Sequence, residues 1–394
     1  IHRSNLIGMG VLPLQFPAAA WVKFLTDNPI GLYIHIPFCT KKCAYCDFYS
    51  ACVTEELINA YVKGLCESFK IWSDKICRPI DTVYFGGGTP SLLGNRIVPL
   101  LRAARSSFCI TDNAEITAEL NPAGNSAEFL YACKCAGVNR LSIGAQSGSD
   151  DELLLLGRTH IVRDTAETVK AARAMGFKNI SLDLMCGLPG SNTKSLKKSL
   201  DFTVGLEPEH ISVYILKIEE NTLFYKNKAT LALPDDDETA EQYMYICEYL
   251  EDKGYLHYEI SNFCRPGYES RHNLKYWNCD EYLGIGAAAH SFIDEKRFFY
   301  PRSIKAFLSG EPPVPDGDGG DAAEYIMLRL RLSLGVDFAE YRRRFGSALP
   351  DSFIKAAERL KSIGLVKITE DAVAITDRGM PVSNSIITEL LENI

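Results

Sequence analysis

The stretch Tyr33-Ile-His-Ile-Pro-Phe-Cys39-Thr-Lys-Lys-Cys43-Ala-Tyr-Cys46-Asp-Phe48 carries three thiols within eight residues. A structural zinc site normally closes with four ligands, and a fourth is not obvious here, because Cys52 is six residues further on and His35 lies in a predicted strand. Iron–sulfur clusters also use cysteine thiolates, usually four, so three ligands leave one iron with an open coordination site. A substrate or a cofactor can bind at such an open site. Taken alone, these residues leave both kinds of metal centre open.

Outward from this stretch, short apolar runs alternate with longer segments of helical period from Gly31 to about Leu216. This alternation predicts repeated strand–helix units around a parallel sheet. The predicted strands are Leu32–Ile36, Thr82–Phe85, Ala114–Glu119, Arg140–Ile143, Ile180–Met185 and His210–Ile215. Six units are fewer than the eight of a complete barrel. We therefore predict an α/β fold with a partial (β/α)6 TIM-like barrel over residues 31–230.

The pattern changes after the predicted barrel. Residues 231–308 read as a connecting segment that covers the barrel, and residues 309–321 read as a linker rich in Gly, Pro and Asp. Residues 322–394 show the helix and strand order of a winged-helix-like α+β domain. Such domains often bind DNA, but residues 324–394 hold ten Lys or Arg and ten Asp or Glu. Without a basic stripe, we predict no binding of nucleic acid.

The composition of the 394-residue chain bears on its location. The net charge of −8 gives no global basic surface. Thirteen cysteines, an odd number and scattered apart from one group, argue against a disulfide framework and favour a reducing compartment. In the N-terminal segment, residues 1–30, the apolar stretch Gly10–Val22 is interrupted by Pro13 and Pro17 and is too short to span a membrane. We predict a cytoplasmic protein with no integral membrane segment.

A second motif, Tyr84-Phe-Gly-Gly-Gly-Thr-Pro90, follows the second predicted strand. Its three glycines let the backbone approach a ligand closely. Four polar side chains lie in, at the end of or after the later predicted strands, and a barrel fold places its active site at the strand ends. These residues are Glu119, Gln146, Arg158 and Asp183. A guanidinium such as that of Arg158 suits a bidentate contact with a carboxylate. Taken one at a time, each of these four residues fits a surface or helix-capping role better than a binding role.

Together, the order, spacing and context of these motifs resemble the radical S-adenosylmethionine (SAM) superfamily. Within it they resemble the oxygen-independent coproporphyrinogen III oxidase group, from about Gly31 to the C-terminal tail. The resemblance implies a [4Fe-4S] cluster held by Cys39, Cys43 and Cys46, with the methionine group of SAM on the open iron. In that family an electron from the reduced cluster cleaves SAM to give a 5'-deoxyadenosyl radical. The SAM contacts that the resemblance implies are Tyr33, Tyr45, Gly87, Gly88, Thr89, Glu119, Gln146, Arg158 and Asp183.

Two functions compete within this group, and the residues after the third cysteine distinguish them. The oxidase follows that cysteine with Gly-Cys, whereas this chain has Asp47 and Phe48. The oxidase also has a longer N-terminal arm, whereas only 38 residues precede Cys39. Both departures are shared with HemW-type proteins, which are similar in sequence and are regarded as haem chaperones.

A third feature, Arg271-His-Asn-Leu-Lys-Tyr-Trp277, resembles the HemW motif linked to haem binding. An imidazole can ligate haem iron, and neighbouring aromatic rings can pack on the porphyrin face. We therefore predict His272 as a haem ligand, with His290 as the second candidate. The alternative is that His272 is a buried histidine whose hydrogen bonds are satisfied in an aromatic core.

From the resemblance we expect a HemW-like haem chaperone that binds haem and delivers it to a haem-requiring protein. The alternative is an oxygen-independent coproporphyrinogen III oxidase, which decarboxylates the propionates of that porphyrinogen with consumption of SAM. The expected partners are SAM, haem or a porphyrinogen, an acceptor protein and a second copy of the chain in a homodimer. Whether the chain turns over SAM or a porphyrinogen stays open at the level of sequence.

Overall fold

The computed structural model describes residues 28–122 and 126–392, so nearly all of the predicted N-terminal segment, residues 1–30, lies outside the described residues. The strands are β1 (Ile30–Ile36), β2 (Phe38–Cys39), β3 (Ala51–Cys52), β4 (Ile80–Gly87), β5 (Ile110–Leu120), β6 (Arg140–Gln146), β7 (Ile180–Cys186), β8 (His210–Ile215), β9 (Leu256–Glu259), β10 (Asn262–Cys264), β11 (Tyr282–Ile285), β12 (His290–Ile293), β13 (Lys296–Phe299), β14 (Val314–Asp318), β15 (Val336–Asp337), β16 (Val366–Ile368) and β17 (Ala372–Ile375). The α-helices are α1 (Glu55–Ser73), α2 (Ile97–Ser107), α3 (Ser126–Ala136), α4 (Asp150–Leu155), α5 (Val162–Ala174), α6 (Thr193–Gly205), α7 (Leu223–Lys226), α8 (Asp236–Asp252), α9 (Arg271–Trp277), α10 (Ile304–Leu308), α11 (Ala322–Arg329), α12 (Phe338–Phe345), α13 (Asp351–Ser362) and α14 (Ser383–Leu391).

Six parallel strands form the sheet that the alternating pattern predicts, in the order β1-β4-β5-β6-β7-β8. Their sequences are apolar on both faces, and in β1 every residue except Tyr33 is buried. Strands of this kind belong in a parallel sheet that is covered on both sides. Helices α1, α2, α3 and α5 pack against these strands in one hydrophobic core. The predicted α/β fold built on a partial barrel is therefore confirmed.

The sheet contains a further parallel strand that the sequence analysis does not identify. Strand β11 pairs with β1 in a register that runs from Gly31 and Tyr282 to Ile34 and Ile285. It is four residues long and contains Gly284, so it lacks the apolar run that predicts a strand. Antiparallel strands then extend both edges of the sheet, with β12, β13 and β14 beyond β11, and β10 and β9 beyond β8.

These edge strands change the interpretation of two predicted regions. The connecting segment, residues 231–308, was expected to cover the barrel, but it supplies helix α8 and strands β9–β13 at the two edges of the sheet. The predicted linker, residues 309–321, contains β14, which pairs with β13. All residues of β14 are exposed, so backbone hydrogen bonds hold this strand. Because it buries no apolar side chains, its composition does not distinguish it from a loop.

The C-terminal domain contains helices α11–α14 and a small antiparallel sheet in the order β15-β17-β16. Its core is continuous with that of the second half of the barrel. Leu184 and Ile211 of the barrel strands share one hydrophobic cluster with Tyr325 and Phe353 of the C-terminal helices. The two regions are therefore packed together through buried apolar contacts. In the described part of the chain, no helix combines the length and apolar character needed to cross a membrane.

Candidate functional site

A cavity of about 610 Å³ opens at the carboxyl ends of the parallel strands. Parallel sheets and barrels bind their ligands at this end, because the loops that follow the strands converge there. Eleven of the twelve residues predicted for the cluster and SAM line this cavity. They are Cys39, Cys43, Tyr45, Cys46, Gly87, Gly88, Thr89, Glu119, Gln146, Arg158 and Asp183.

The three thiols lie on the loop between β1 and α1, and backbone hydrogen bonds hold that loop. Strands β2 and β3 pair within it, and the Ala44 N–H donates to the Leu156 carbonyl at 3.1 Å. The Ala44 carbonyl in turn accepts from the Phe224 N–H at 2.9 Å. Cys39, Cys43 and Cys46 are half-buried and free of disulfides. Burial raises the pKa of the Cys46 thiol.

Side chains from the neighbouring strand ends approach two of these thiols. The Thr89 Oγ1 lies 3.5 Å from the Cys39 Sγ, and the Arg158 Nη1 lies 3.5 Å from the Cys43 Sγ. Cysteine binds metals as its thiolate. The loop therefore presents three soft ligands on one side of the cavity, next to a permanent cation.

The glycine turn at the end of β4 packs directly against the cysteine loop. A Cβ on Gly88 would lie 2.6 Å from the Phe38 carbonyl oxygen, which is closer than such atoms can approach. Gly87 has a φ of +112°, and a Cβ there would overlap the His35 ring. Glycine is therefore required at both positions, because only a residue without Cβ lets the two backbones meet.

Glu119, at the end of β5, is half-buried, and its carboxyl group faces this turn. Its Oε2 accepts from the Gly87 N–H at 3.2 Å, and its Oε1 accepts from the Tyr84 hydroxyl at 2.9 Å. Burial raises the pKa of Glu119 to about 7, although both hydrogen bonds favour the ionised form. The group can therefore change its protonation state near neutral pH.

Arg158, which lies beside Cys43, and Asp183 of β7 also line the cavity. The Arg158 Nη2 donates to the Asn121 Oδ1 at 2.5 Å and to the Gly144 carbonyl at 2.9 Å. The Ser142 hydroxyl bonds to the Asp183 carboxylate at 3.1 Å, and burial raises the pKa of that carboxyl. These contacts hold a cation on the loop after α4 and an anion on β7, and both line the cavity. A zwitterionic ligand such as an amino acid could pair with both.

Two further predicted residues, Gln146 and Tyr45, also line the cavity. Gln146, the last residue of β6, has a φ of +66°, a conformation that side chains other than glycine rarely adopt. Tyr45, between the second and third thiols, is half-buried, and burial raises the pKa of its hydroxyl. Strained backbone of this kind clusters at binding sites, where the surrounding structure maintains it.

Tyr33 is the predicted SAM residue that does not line the cavity. It lies deeper in the barrel, where its hydroxyl is 3.0 Å from the His35 Nδ1. Its ring stacks on those of Tyr84 and His272, with centroid separations of 6.1 and 6.3 Å. The side chain points along the inner face of β1, and its contacts are with the barrel interior.

His272, predicted as a haem ligand, lies in the same interior and is only 1% exposed. Its Nδ1 is 2.8 Å from the Thr82 Oγ1, and its Nε2 is 2.8 Å from the Tyr276 hydroxyl. Both ring nitrogens are therefore engaged, and this arrangement leaves none for an iron. The geometry matches the alternative reading of this motif, a histidine whose hydrogen bonds are satisfied in an aromatic core.

His290, the second candidate, has a different environment. It begins β12, is exposed, and stacks on the ring of Phe299 with a centroid separation of 5.2 Å. Partial burial lowers its pKa, which favours the neutral imidazole that binds metals. Unlike His272, it can be reached by a ligand from outside the barrel.

The cavity also contains residues that the sequence analysis misses. They include Asn121, Ser142, Gly144, Met185, Tyr214, Lys217 and Glu219. Successive side chains of a strand point to opposite faces, so residues two apart share a face. This rule connects Glu119 to Asn121 and Asp183 to Met185, and applying it at each strand end would have found both missed partners.

The partial barrel, the three free thiols after β1 and the glycine turn after β4 together define a radical SAM protein. The model of the radical SAM superfamily matches residues 33–203, and that of the HemN C-terminal domain matches residues 321–382. Within this class, the chain belongs to the HemW family. It is 36% identical to the haem chaperone HemW of Bacillus subtilis over 375 residues, which cover 91% of this chain and 98% of that protein.

Further comparisons agree with this assignment. The chain is 34% identical to the haem chaperone HemW of Mycobacterium tuberculosis, over 96% of this chain and 98% of that protein. It is 40% identical to the Escherichia coli HemW, over 77% of this chain and 83% of that protein. The solved structure of the E. coli coproporphyrinogen III oxidase (HemN), a radical SAM enzyme, superposes with a TM-score of 0.79. It covers 95% of this chain and 93% of its own at 22% identity, so this likeness concerns the fold.

The radical SAM family implies a [4Fe-4S] cluster and SAM, and the residues present fit both groups. The donor set is three free thiols beside a cavity that is also lined by Arg158, the carboxyl groups of Glu119 and Asp183, and the glycine turn. Cys52, the next cysteine in the sequence, is exposed on β3 and does not line the cavity. A cluster held by the three thiols would therefore keep one iron free for a ligand.

Proposed function

We propose that this chain is a haem chaperone, which binds haem and delivers it to proteins that require it. The observation that carries the proposal is the likeness to haem chaperones of the HemW family over 98% of their length. The residues after the third cysteine support the same function. Asp47 and Phe48 stand where the oxidase has its additional cysteine, and the Asp47 carbonyl accepts from the Arg302 Nη2 at 2.6 Å.

In this proposal, Cys39, Cys43 and Cys46 hold the [4Fe-4S] cluster, and the rest of the cavity holds SAM. When bound, the cluster supplies an electron for the reductive cleavage of SAM. The chain's own groups orient the ligand. The glycine turn and Glu119 accept hydrogen bonds from the amino group of the methionine moiety, and Arg158 faces its carboxylate. Asp183 and Gln146 line the remaining wall of the cavity.

For haem, the environment of the two histidines supports His290 as the axial ligand in place of His272. His290 is exposed and partly stacked, whereas both nitrogens of His272 are hydrogen bonded in the barrel interior. The His-Asn-x-x-Tyr-Trp motif then has a structural role, because its helix closes the barrel beside β1. The identity of the acceptor protein, a homodimer and a cytoplasmic location stay predictions.

The experiment that tests the proposal measures transfer and catalysis in the same preparation. The cluster is reconstituted under anaerobic conditions, and haem binding is followed by absorbance titration. The loaded protein is then mixed with apomyoglobin as a neutral acceptor, and the appearance of holo-myoglobin is recorded. In parallel, SAM, a reductant and coproporphyrinogen III are supplied and the decarboxylated product is quantified. We expect haem binding and transfer without decarboxylation.

Two controls make the outcome specific. Replacing Cys39, Cys43 and Cys46 with Ser tests whether the cluster is needed, by iron and sulfide content and by haem transfer. Turnover of coproporphyrinogen III at a rate that grows with SAM would contradict the chaperone and make this chain an oxidase that works without the additional cysteine. The absence of haem binding would also contradict the chaperone.

A further inference from the structure

A second group of metal-ligating side chains lies outside the cavity, where helix α8 and strand β9 meet the C-terminal domain. It consists of Cys247, His257 and Asp377, whose ligand atoms all lie within 4.8 Å of one another. Cys247 is buried, and Asp377 is exposed on the turn after β17. The histidine and the aspartate are 120 positions apart in the sequence, so only the folded chain brings them together.

The hydrogen bonds around Tyr243 fix the proton on His257. The Tyr243 hydroxyl donates its single proton to the Ile260 carbonyl at 2.8 Å, because a carbonyl oxygen can only accept. The His257 Nε2 lies 3.2 Å from the same hydroxyl oxygen. Since that hydroxyl has no second proton, the His257 Nε2 is the donor and carries the hydrogen. The ring nitrogen that remains is Nδ1.

In a neutral imidazole this Nδ1 carries a lone pair, and it faces another acceptor. The Asp377 Oδ1 is 2.7 Å away, which is the distance of a hydrogen bond, so without a metal ion a proton must lie between these two atoms. A shared proton would account for the histidine and the carboxylate alone. A metal ion would account for these two groups and also for the thiol of Cys247, which converges on the same point.

We infer that Cys247, His257 and Asp377 form a zinc site. Zn²⁺ takes sulfur, nitrogen and carboxylate oxygen in tetrahedral geometry, and a thiolate favours it over Mg²⁺ or Ca²⁺. A histidine that binds a metal usually donates its other ring N–H to a second partner, and Tyr243 is in that position. Because Asp377 is exposed, water can complete the coordination. This inference does not depend on the proposed function.

The site would fasten the C-terminal domain to the barrel. Cys247 lies on α8 and His257 on β9, both in the region that extends the sheet, whereas Asp377 belongs to the C-terminal domain. The ring of His257 also stacks on Phe263 of β10, with a centroid separation of 4.5 Å. A zinc ion here would therefore link two regions through an aromatic-lined contact.

The test uses Zn²⁺ and its spectroscopic substitute Co²⁺ on the full chain. To remove competition from the cluster thiols, the measurement is made in the Cys39→Ser/Cys43→Ser/Cys46→Ser background and repeated with the reconstituted parent. We expect one Co²⁺ per chain with thiolate-to-cobalt absorption, displaced by one Zn²⁺. Asp377→Asn is the main variant, since its exposed side chain can change without disturbing the core, and Cys247→Ser is the second.

Each variant should abolish tight binding of the ion or weaken it at least tenfold. Tyr243→Phe removes the hydroxyl that contacts the His257 Nε2 and the Cys247 thiol, and it should weaken zinc binding about 10- to 100-fold. Cys133→Ser is the matched control, because Cys133 is also a buried free thiol but lies in the other hydrophobic core. Equal Co²⁺ binding in the parent, Asp377→Asn and Cys247→Ser would overturn the inference, as would no binding by the parent. In either case, a proton shared between His257 and Asp377 would be the correct description.

Discussion

Gly88 shows how a single hydrogen atom in place of a methyl group positions the cysteine loop. Substituting Gly88→Ala would push a Cβ against the Phe38 carbonyl, so the end of β4 and the loop must separate. We expect a loss of about 1–3 kcal/mol in the free energy of unfolding, typical of overpacking, together with lower iron content after reconstitution. Urea unfolding and iron analysis measure both quantities. Gly205→Ala is the control, because a Cβ there meets no atom within 4 Å.

Glu119 provides a prediction about pH. Its pKa is raised to about 7, so the carboxylate is mostly ionised at pH 8 and mostly protonated at pH 6. SAM presents hydrogen-bond donors, which bind the ionised form, so its affinity should fall as the pH falls. For a group with this pKa, the ionised fraction changes roughly tenfold between these two values. Equilibrium dialysis with the cluster-loaded protein measures the effect. In Glu119→Gln the affinity should be lower and flat with pH, and an unchanged slope would contradict this assignment.

At the scale of elements, helix α9 is fastened to the amino end of the sheet. The Glu115 carboxylate accepts from the backbone N–H groups of Arg271 and His272, at 3.2 and 3.1 Å. The His272 ring completes the anchor through Thr82 and Tyr276. Removing that ring leaves a cavity and two buried hydroxyl groups without their partner. We therefore expect His272→Ala to lower the free energy of unfolding by about 2–4 kcal/mol.

His290→Ala is the matched substitution, because it truncates an exposed histidine. Its unfolding free energy should stay within about 0.5 kcal/mol of the parent, whereas its haem affinity should fall. His272→Ala should do the reverse, with reduced stability and an unchanged haem titration curve for the folded fraction. Denaturant melts and haem titrations on both variants separate the two roles. If haem affinity fell only in His272→Ala, the prediction made from the motif, that His272 is the haem ligand, would be restored.

The elements that could be predicted from sequence are those whose own residues determine them. Strand β1 is apolar along its length, and the cysteine and glycine motifs follow strands of this kind. Strand β11 is short and contains Gly284, and its place beside β1 depends on pairing with residues 251 positions away. The role of His272 could not be predicted either, because its partner Thr82 belongs to a distant strand. Spacing identifies ligands that are close in sequence, but not whether a side chain is already satisfied in the fold.

At the scale of the whole molecule, the barrel and the C-terminal domain share a hydrophobic core. Unfolding of either region would expose the apolar surface of this shared core, so we expect a single calorimetric transition. Phe353→Ala, in the C-terminal domain, should remove about 3–5 kcal/mol from the stability of the entire chain. Glu370→Ala, at an exposed position, should have no measurable effect. Two resolved transitions, with only one of them shifted by Phe353→Ala, would show that the domains unfold independently.

The side chains packed behind the cavity determine the route by which ligands enter and leave it. Glu119 lines the cavity, and the hydroxyl of Tyr84, behind Glu119, donates a hydrogen bond to the Glu119 carboxylate. The His272 ring stacks on Tyr84 with a centroid separation of 5.2 Å. In the described part of the barrel, these side chains close the route toward the amino end. A molecule bound deep in the cavity must therefore leave through the same opening, at the carboxyl ends of the strands, by which it entered. A larger ligand bound at that opening would block it, so the larger ligand would have to dissociate before the molecule inside could leave.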